Sequence, residues 1–157
     1  MIMLLIKNLT KSKVDEKFFR SIAGKTLENL PKLAKSAKKI EISLVIIGEK
    51  RMKGLNRIWR GKNKATDVLS FENQKNKFNF IAPPDDIIHL GQIFICYPVA
   101  SRQARQYGYS IREEAARLLI HGILHLAGYD HEKNADQEKK MLGLQEKILG
   151  KIIVKKL

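Results

Sequence analysis

Three of the four histidines in the chain fall within one eleven-residue stretch, His121-Gly122-Ile123-Leu124-His125-Leu126-Ala127-Gly128-Tyr129-Asp130-His131. Their spacing suits a single metal ion. His121 and His125 are four residues apart, so on a helix they share one face with Cβ atoms roughly 5–6 Å apart. Two imidazole nitrogens then reach one ion at Zn–N distances of about 2.0–2.1 Å. Gly128 stands where that helix should end, since glycine takes the left-handed cap conformation without a Cβ penalty. The chain can turn back there and bring His131 as a third ligand. Three protein ligands leave a tetrahedral position for water, the arrangement of a catalytic rather than a structural zinc site.

The plainer reading is three histidines satisfied in or near the core. Two imidazoles one turn apart, among Leu118-Leu119-Ile120 and Ile123-Leu124, would each need a buried polar partner. A shared metal removes that difficulty. The spacing H-x3-H-x5-H also resembles the metzincin protease signature. In those proteases the residue after the first histidine is the glutamate that acts as general base. Here it is Gly122, with no side chain to accept a proton. A peptidase would need some other acidic side chain in that space. Zinc can still lower the pKa of a bound water from 15.7 to about 7 and polarise a phosphoryl oxygen. The donor set itself accepts nickel or cobalt as well as zinc.

Cleavage of a phosphodiester further needs cations for the phosphate, and the chain is rich in them. It carries 30 Lys and Arg against 16 Asp and Glu, a net charge of +14 over 157 residues. That excess favours a polyanionic partner. Charge alone separates neither RNA from DNA nor either from an anionic membrane; the lack of a strongly amphipathic basic helix favours nucleic acid. Residues 50–64 contain no acid at all, and Lys50, Arg51, Lys53, Arg57, Arg60, Lys62 and Lys64 fall there. Arg60 is a candidate phosphate ligand, because guanidinium binds phosphate oxygens bidentately. A solvated basic face is the ordinary alternative for any one of these cations.

The elements that must position these groups follow from hydrophobic periodicity. Residues 2–7 read as a strand, and Asp15-Glu16 open a helix with Phe18, Phe19, Ile22, Leu27 and Leu30 as its apolar face and Pro31 interrupting late. Residues 40–47 form a second strand ending at Gly48. A helix over 49–60 places Met52, Leu55, Ile58 and Trp59 at apolar spacing. Residues 66–71 and 90–97 are two further strands around a long loop, 72–89. A short helix spans 98–107. Ser110 and Glu113 form a capping box that opens the histidine helix, and Asn134 caps a last helix through Leu149. Residues 151–157 read as a basic-apolar tail. These elements make one α/β domain (α+β by some schemes) over residues 1–157: a central four-stranded mixed sheet with about five helices. One strand is expected to run antiparallel, because 66–71 and 90–97 lack an obvious crossover helix.

No apolar run approaches the ~20 residues of a membrane span. The opening Met1 to Lys7 lacks a basic n-region and a cleavage site. The single cysteine, Cys96, sits in an apolar run and reads as a buried small hydrophobe. A cytoplasmic setting without a membrane partner is expected.

The histidine stretch as a whole resembles the signature of the YbeY family, metal-dependent endoribonucleases of ribosomal RNA maturation. A second block, Leu55-Asn56-Arg57-x-Trp59-Arg60 followed by Thr66-Asp67-Val68-Leu69-Ser70-Phe71, carries the same resemblance. A third is Leu90-Gly91-Gln92-Ile93. Together they cover about residues 40–149. The resemblance implies a single-strand-specific RNase acting with the small ribosomal subunit, in 3′-end processing of rRNA and in ribosome quality control. It implies one Zn2+ per chain held by His121, His125 and His131 at the end of a cleft, and matches Arg60 to the family arginine implicated in cleavage. A ribosome-bound assembly factor whose metal is mainly structural is the alternative. One position departs: Gln92 stands where the family usually has an acid, which keeps the hydrogen-bonding shape but loses the charge. Asp67 and Asp130 are then the nearby carboxylates that could hold a ligand imidazole in its tautomer, although Asp67 could equally make a strand-end bond to backbone.

Overall fold

The computed structural model describes residues 1–73, 86–129 and 134–154. Its centre is a four-stranded sheet in the order β1-β2-β4-β3. Strands β1 (Ile2–Asn8), β2 (Lys39–Ile47) and β4 (Ile87–Cys96) run parallel, while β3 (Val68–Glu72) is the antiparallel edge. Antiparallel pairing needs no crossover helix, as the sequence reading of these two strands requires.

Alternation along β2 and β4 divides the core in two. Ile40, Ile42, Leu44, Ile46, Ile93 and Ile95 face a large cluster with α1 (Glu16–Glu28), α5 (Ile111–Leu126) and α6 (Ala135–Val154). The opposite face buries Ile47, Leu69 and Cys96 under Met52 of α3 (Glu49–Arg60). The result is a three-layer α/β arrangement. Helix α5 is buried on several sides, which explains a run as apolar as Ala115 to Leu126.

Local chemistry sets the helix ends. The Asp15 carboxylate accepts from the Phe18 amide (3.1 Å) and caps α1. Ser110 Oγ accepts from the Glu113 amide (3.0 Å) at the start of α5, and Asn134 Oδ1 from the Gln137 amide (2.9 Å) at the start of α6. Such side chains satisfy amides that have no partner inside the helix.

Four expectations are corrected. Pro31 opens a separate helix, α2 (Pro31–Ser36), because its missing N–H falls at a position that needs none. With α4 (Tyr97–Tyr107), six helices are present among the described residues rather than five. Strand β4 begins at Ile87, three residues before the sequence boundary, and β3 begins at Val68, two later than expected. Helix α6 runs to Val154, burying Ile152 beyond Ile148 and Leu149, so the expected tail is largely helical. Finally, Ile58 and Trp59 are 67% and 65% exposed and do not join the apolar face of α3. Asn56 is buried in that face instead.

Strand β4 carries one extra residue opposite β2. Glu41 pairs with His89 and Ile42 with Gly91, so Leu90 bulges into the core. Gly91 has φ 151°, and a Cβ there would collide with the Phe71 carbonyl oxygen on β3. Only glycine lets the edge strand lie this close.

Candidate metal centre and its cleft

Helix α5 ends in two backbone bonds that fix the turn after the histidines. The Gly128 amide donates to the His125 carbonyl (3.1 Å), and the Tyr129 amide to the Leu124 carbonyl (3.0 Å). With Gly128 at φ 105° this is a Schellman ending. Asp130 and His131, the next candidates, lie outside the described residues.

His121 and His125 both line a cleft of about 260 Å³ between α5, β3 and the end of α3. Arg60, Lys62 and Lys64 line it as well, with Asp67 at the entry to β3. Three cations thus share one cleft with two imidazoles, and among the described lining residues Asp67 is the single carboxylate. The loop carrying the two lysines is pinned by Asn56. Its buried amide donates to the Lys64 carbonyl (2.8 Å), while the Gly61 amide closes α3 on the Arg57 carbonyl (3.1 Å). Gly61 holds φ 69°, the left-handed cap.

Gln145 of α6, which is 5% exposed, settles the tautomer of His121. Its amide nitrogen donates to Glu146 Oε2 (3.2 Å), so its carbonyl oxygen faces His121 Nδ1 at 2.7 Å. A carbonyl oxygen only accepts, so Nδ1 carries the proton and the neutral ring presents its lone pair at Nε2. Behind Gln145 the chain of contacts continues. Arg117 Nε donates to both Glu146 oxygens (3.3 and 3.1 Å), and its guanidinium reaches Glu114 Oε1 at 3.5 Å. Glu114 is 4% exposed, and burial pushes its carboxyl up, with Arg117 partly opposing the shift.

Gly122, between the two histidines, faces away from the cleft. A Cβ there would come within 2.9 Å of two Ile93 side-chain atoms on β4. A glutamate at this position would have to displace Ile93 and would start out pointed away from the cleft, so it could not serve as a peptidase base there.

A profile of the endoribonuclease YbeY family matches residues 5–153. The chain belongs to the YbeY family. A relative from Sulfurihydrogenibium sp. (strain YO3AOP1), "Endoribonuclease YbeY", is 39% identical over 95% of this chain and 91% of its own length. One of the same name from Dehalococcoides mccartyi (strain ATCC BAA-2266 / KCTC 15142 / 195) is 42% identical over 83% and 77%. A solution structure of a Thermotoga maritima protein is similar at TM-score 0.61 and 28% identity, covering 94% of this chain and 87% of that one.

In this YbeY-family chain the remaining candidates scatter around the cleft. Asp67 Oδ1 accepts from the Val68 amide (2.8 Å) and the Thr66 hydroxyl (3.3 Å), a strand-entry bond made while it borders His121. Gln92 sits in a neighbouring cleft that shares His125 and Ser70 with the first. At 3.6 residues per turn, Lys50, Lys53, Arg57 and Arg60 fall within an arc of about 80° on α3, and Arg51 lies off it. All five are exposed, and only Arg60 reaches the histidine cleft. Arg57 and Arg60 also stand in the last turn of α3, where cations complement the helix dipole. Cys96 is fully buried and its thiol is pushed up by that burial, so it offers no nucleophile. No described helix is long and apolar enough to cross a membrane.

Sequence reasoning did not assign roles to Gln145, Asn56 and Ser70. Asn56 left a trace, an amide one turn after Met52 on the apolar stripe. Ser70 left a fainter one, a hydroxyl on the strand face turned toward α5. Gln145 left none, since it lies 24 residues from its partner on another helix.

Proposed function

We propose that this chain is a zinc-dependent endoribonuclease of single-stranded RNA that works in the cytoplasm on the 3′ end of ribosomal RNA and in quality control of the small ribosomal subunit. The observation that carries the reading is the shared cleft, lined by His121 and His125 together with Arg60, Lys62 and Lys64. Membership of an endoribonuclease family supports phosphodiester cleavage in it. His121, His125 and His131 would hold one Zn2+. The local structure fits that ion: an imidazole whose Nδ1–H is committed to a carbonyl is the usual partner arrangement of a zinc-ligating histidine. When bound, zinc supplies hydroxide at neutral pH and Lewis acidity toward phosphoryl oxygen.

The chain's own residues do the rest. Arg60 grips the scissile phosphate through its planar fork. Lys62 and Lys64 take neighbouring phosphates, and Lys50, Lys53 and Arg57 extend the cationic track along α3, with Arg51 beside it. Gln145 holds the His121 ring, and Asp67 and Asp130 are the carboxylates available to orient the other ligands.

Metal analysis of the purified chain tests the ligand set. The wild type should carry one zinc per chain, His125→Ala should carry almost none, and Arg60→Glu should keep its zinc. Loss of zinc from Arg60→Glu would make Arg60 a structural residue and contradict the assignment.

A further inference from the structure

Trp59 is the sole tryptophan of the chain, and it stands 65% exposed in the last turn of α3, one residue before Arg60. Folding leaves so large an apolar ring in water at a measurable disadvantage. The ring is nonetheless held. It meets Phe71 of β3 edge-on at 5.8 Å and 61°, and Phe71 in turn meets Phe94 of β4 at 5.7 Å and 76°. Helix α3 is itself tied to α4 by the Glu49–Arg102 pair.

Trp59 walls a cleft of about 610 Å³ whose other sides include His125, Ser70, Glu72 and Gln92. His125 and Ser70 also line the basic cleft, so the two hollows adjoin at these residues. One hollow is cationic, with Arg60, Lys62 and Lys64. The other is aromatic, with Ser70, Gln92, His125 and the Glu72 carboxylate as the polar groups on its walls. That division matches a ribonucleotide, whose phosphate is anionic and whose base is flat and apolar with a hydrogen-bonding edge.

We propose that the Trp59 cleft takes one unstacked nucleobase of a single-stranded RNA, seated beside the phosphate that lies in the basic cleft. The assignment rests on the reading of that basic cleft as the site of cleavage. Stacking on the indole supplies affinity, since every base has a π-face. Gln92 suits the edge of the base: its neutral amide both donates and accepts, and it adds no charge to repel the strand. Single-strand preference follows, because a base paired in a duplex cannot swing into the cleft without unpairing first.

The sole tryptophan makes the test direct. Wild-type protein is titrated with a 2′-O-methyl oligouridylate, with its integrity checked on a gel. Two base-free polyanions run beside it, an abasic oligomer of equal length and inorganic polyphosphate. Fluorescence anisotropy of the end-labelled oligomers follows binding independently. The base-bearing oligomer should change Trp59 emission in step with the anisotropy, and the base-free polyanions should leave it nearly unchanged. Trp59→Ala should weaken oligouridylate binding by about 5- to 150-fold, the equivalent of one stacked base, and Trp59→Phe should recover most of it. A melting curve matching the wild type excludes misfolding.

An equal emission change with the abasic oligomer would overturn the base pocket. So would unchanged RNA affinity in Trp59→Ala, which would leave the exposed indole to a protein partner. In both results RNA still binds, so the reading of the basic cleft stands. If the wild type neither binds nor cuts RNA, that reading falls and the base pocket with it.

Discussion

If His121 ligates zinc as proposed, replacing Gln145 separates holding the metal from holding the fold. Its carbonyl oxygen selects the His121 tautomer and its amide nitrogen ties that choice to Glu146. Gln145→Leu keeps comparable bulk and removes the acceptor. Zinc affinity should then fall about 10- to 100-fold, the usual effect of losing a partner behind a ligand. A chelator-competition titration measures it, and Gln145→Glu, which retains an acceptor, should restore much of the loss. Equal affinity in Gln145→Leu and the wild type would show that the ring is oriented by something else. The two imidazoles themselves were legible at once from their spacing, because a helix fixes what lies four residues away. Gln145 was not, because only the packing of α6 on α5 brings it there.

At the scale of elements, α5 carries an electrostatic strain alongside its histidines. Glu114 lies one turn before Arg117, and burial holds its carboxyl above the usual range. A carboxyl raised in the folded state binds its proton more tightly there than in the unfolded chain. The associated stability is complete below the unfolded pKa of about 4.3 and is lost as pH rises through the folded value. Urea midpoints of the wild type should therefore decline from about pH 4.5 toward neutrality relative to those of Glu114→Gln. Parallel pH profiles for the two proteins would contradict this. Helix α3 shows where periodicity stops being informative. Met52, Leu55, Ile58 and Trp59 look like one apolar set, yet the second face of the sheet is narrow: it covers Met52, part of Leu55 and, through Phe71, a minor part of Trp59. Sequence spacing records which residues share a face, not how much surface waits to receive them. The late end of α6 is the converse. Ile148 and Ile152 continue the helical period through Lys151, and the basic ending hid a pattern that was present.

For the whole molecule, the net charge of +14 acquires a location. Part of it forms the arc along α3 that ends in Arg60, followed by Lys62 and Lys64 in the histidine cleft. The four strands, the antiparallel edge and the helix starts were readable because strand alternation, caps and glycines each encode a local decision, whereas the order of the strands in the sheet was not. The joining of the basic stretch to the histidines was not encoded locally. It depends on buried Asn56 holding the 61–64 loop and on Gly91 and Gly122 letting β3 and α5 close on β4. If RNA lies along this surface, its affinity should fall with salt at a log–log slope of about −2 from Arg60, Lys62 and Lys64 alone, steeper as α3 contributes. A flat dependence in a filter-binding series would remove the cationic track from the account.

Whether the histidine pair and Arg60 act on one phosphodiester is decided by cleavage of a labelled single-stranded rRNA 3′-end fragment. Wild type, His125→Ala and Arg60→Glu would be compared at equal concentration, with zinc content measured on the same samples. Only the wild type should cut, with zinc absent from His125→Ala and present in Arg60→Glu. Wild-type protein that binds zinc and RNA yet cuts nothing would contradict this, and would make the chain an RNA-binding assembly factor with a structural metal.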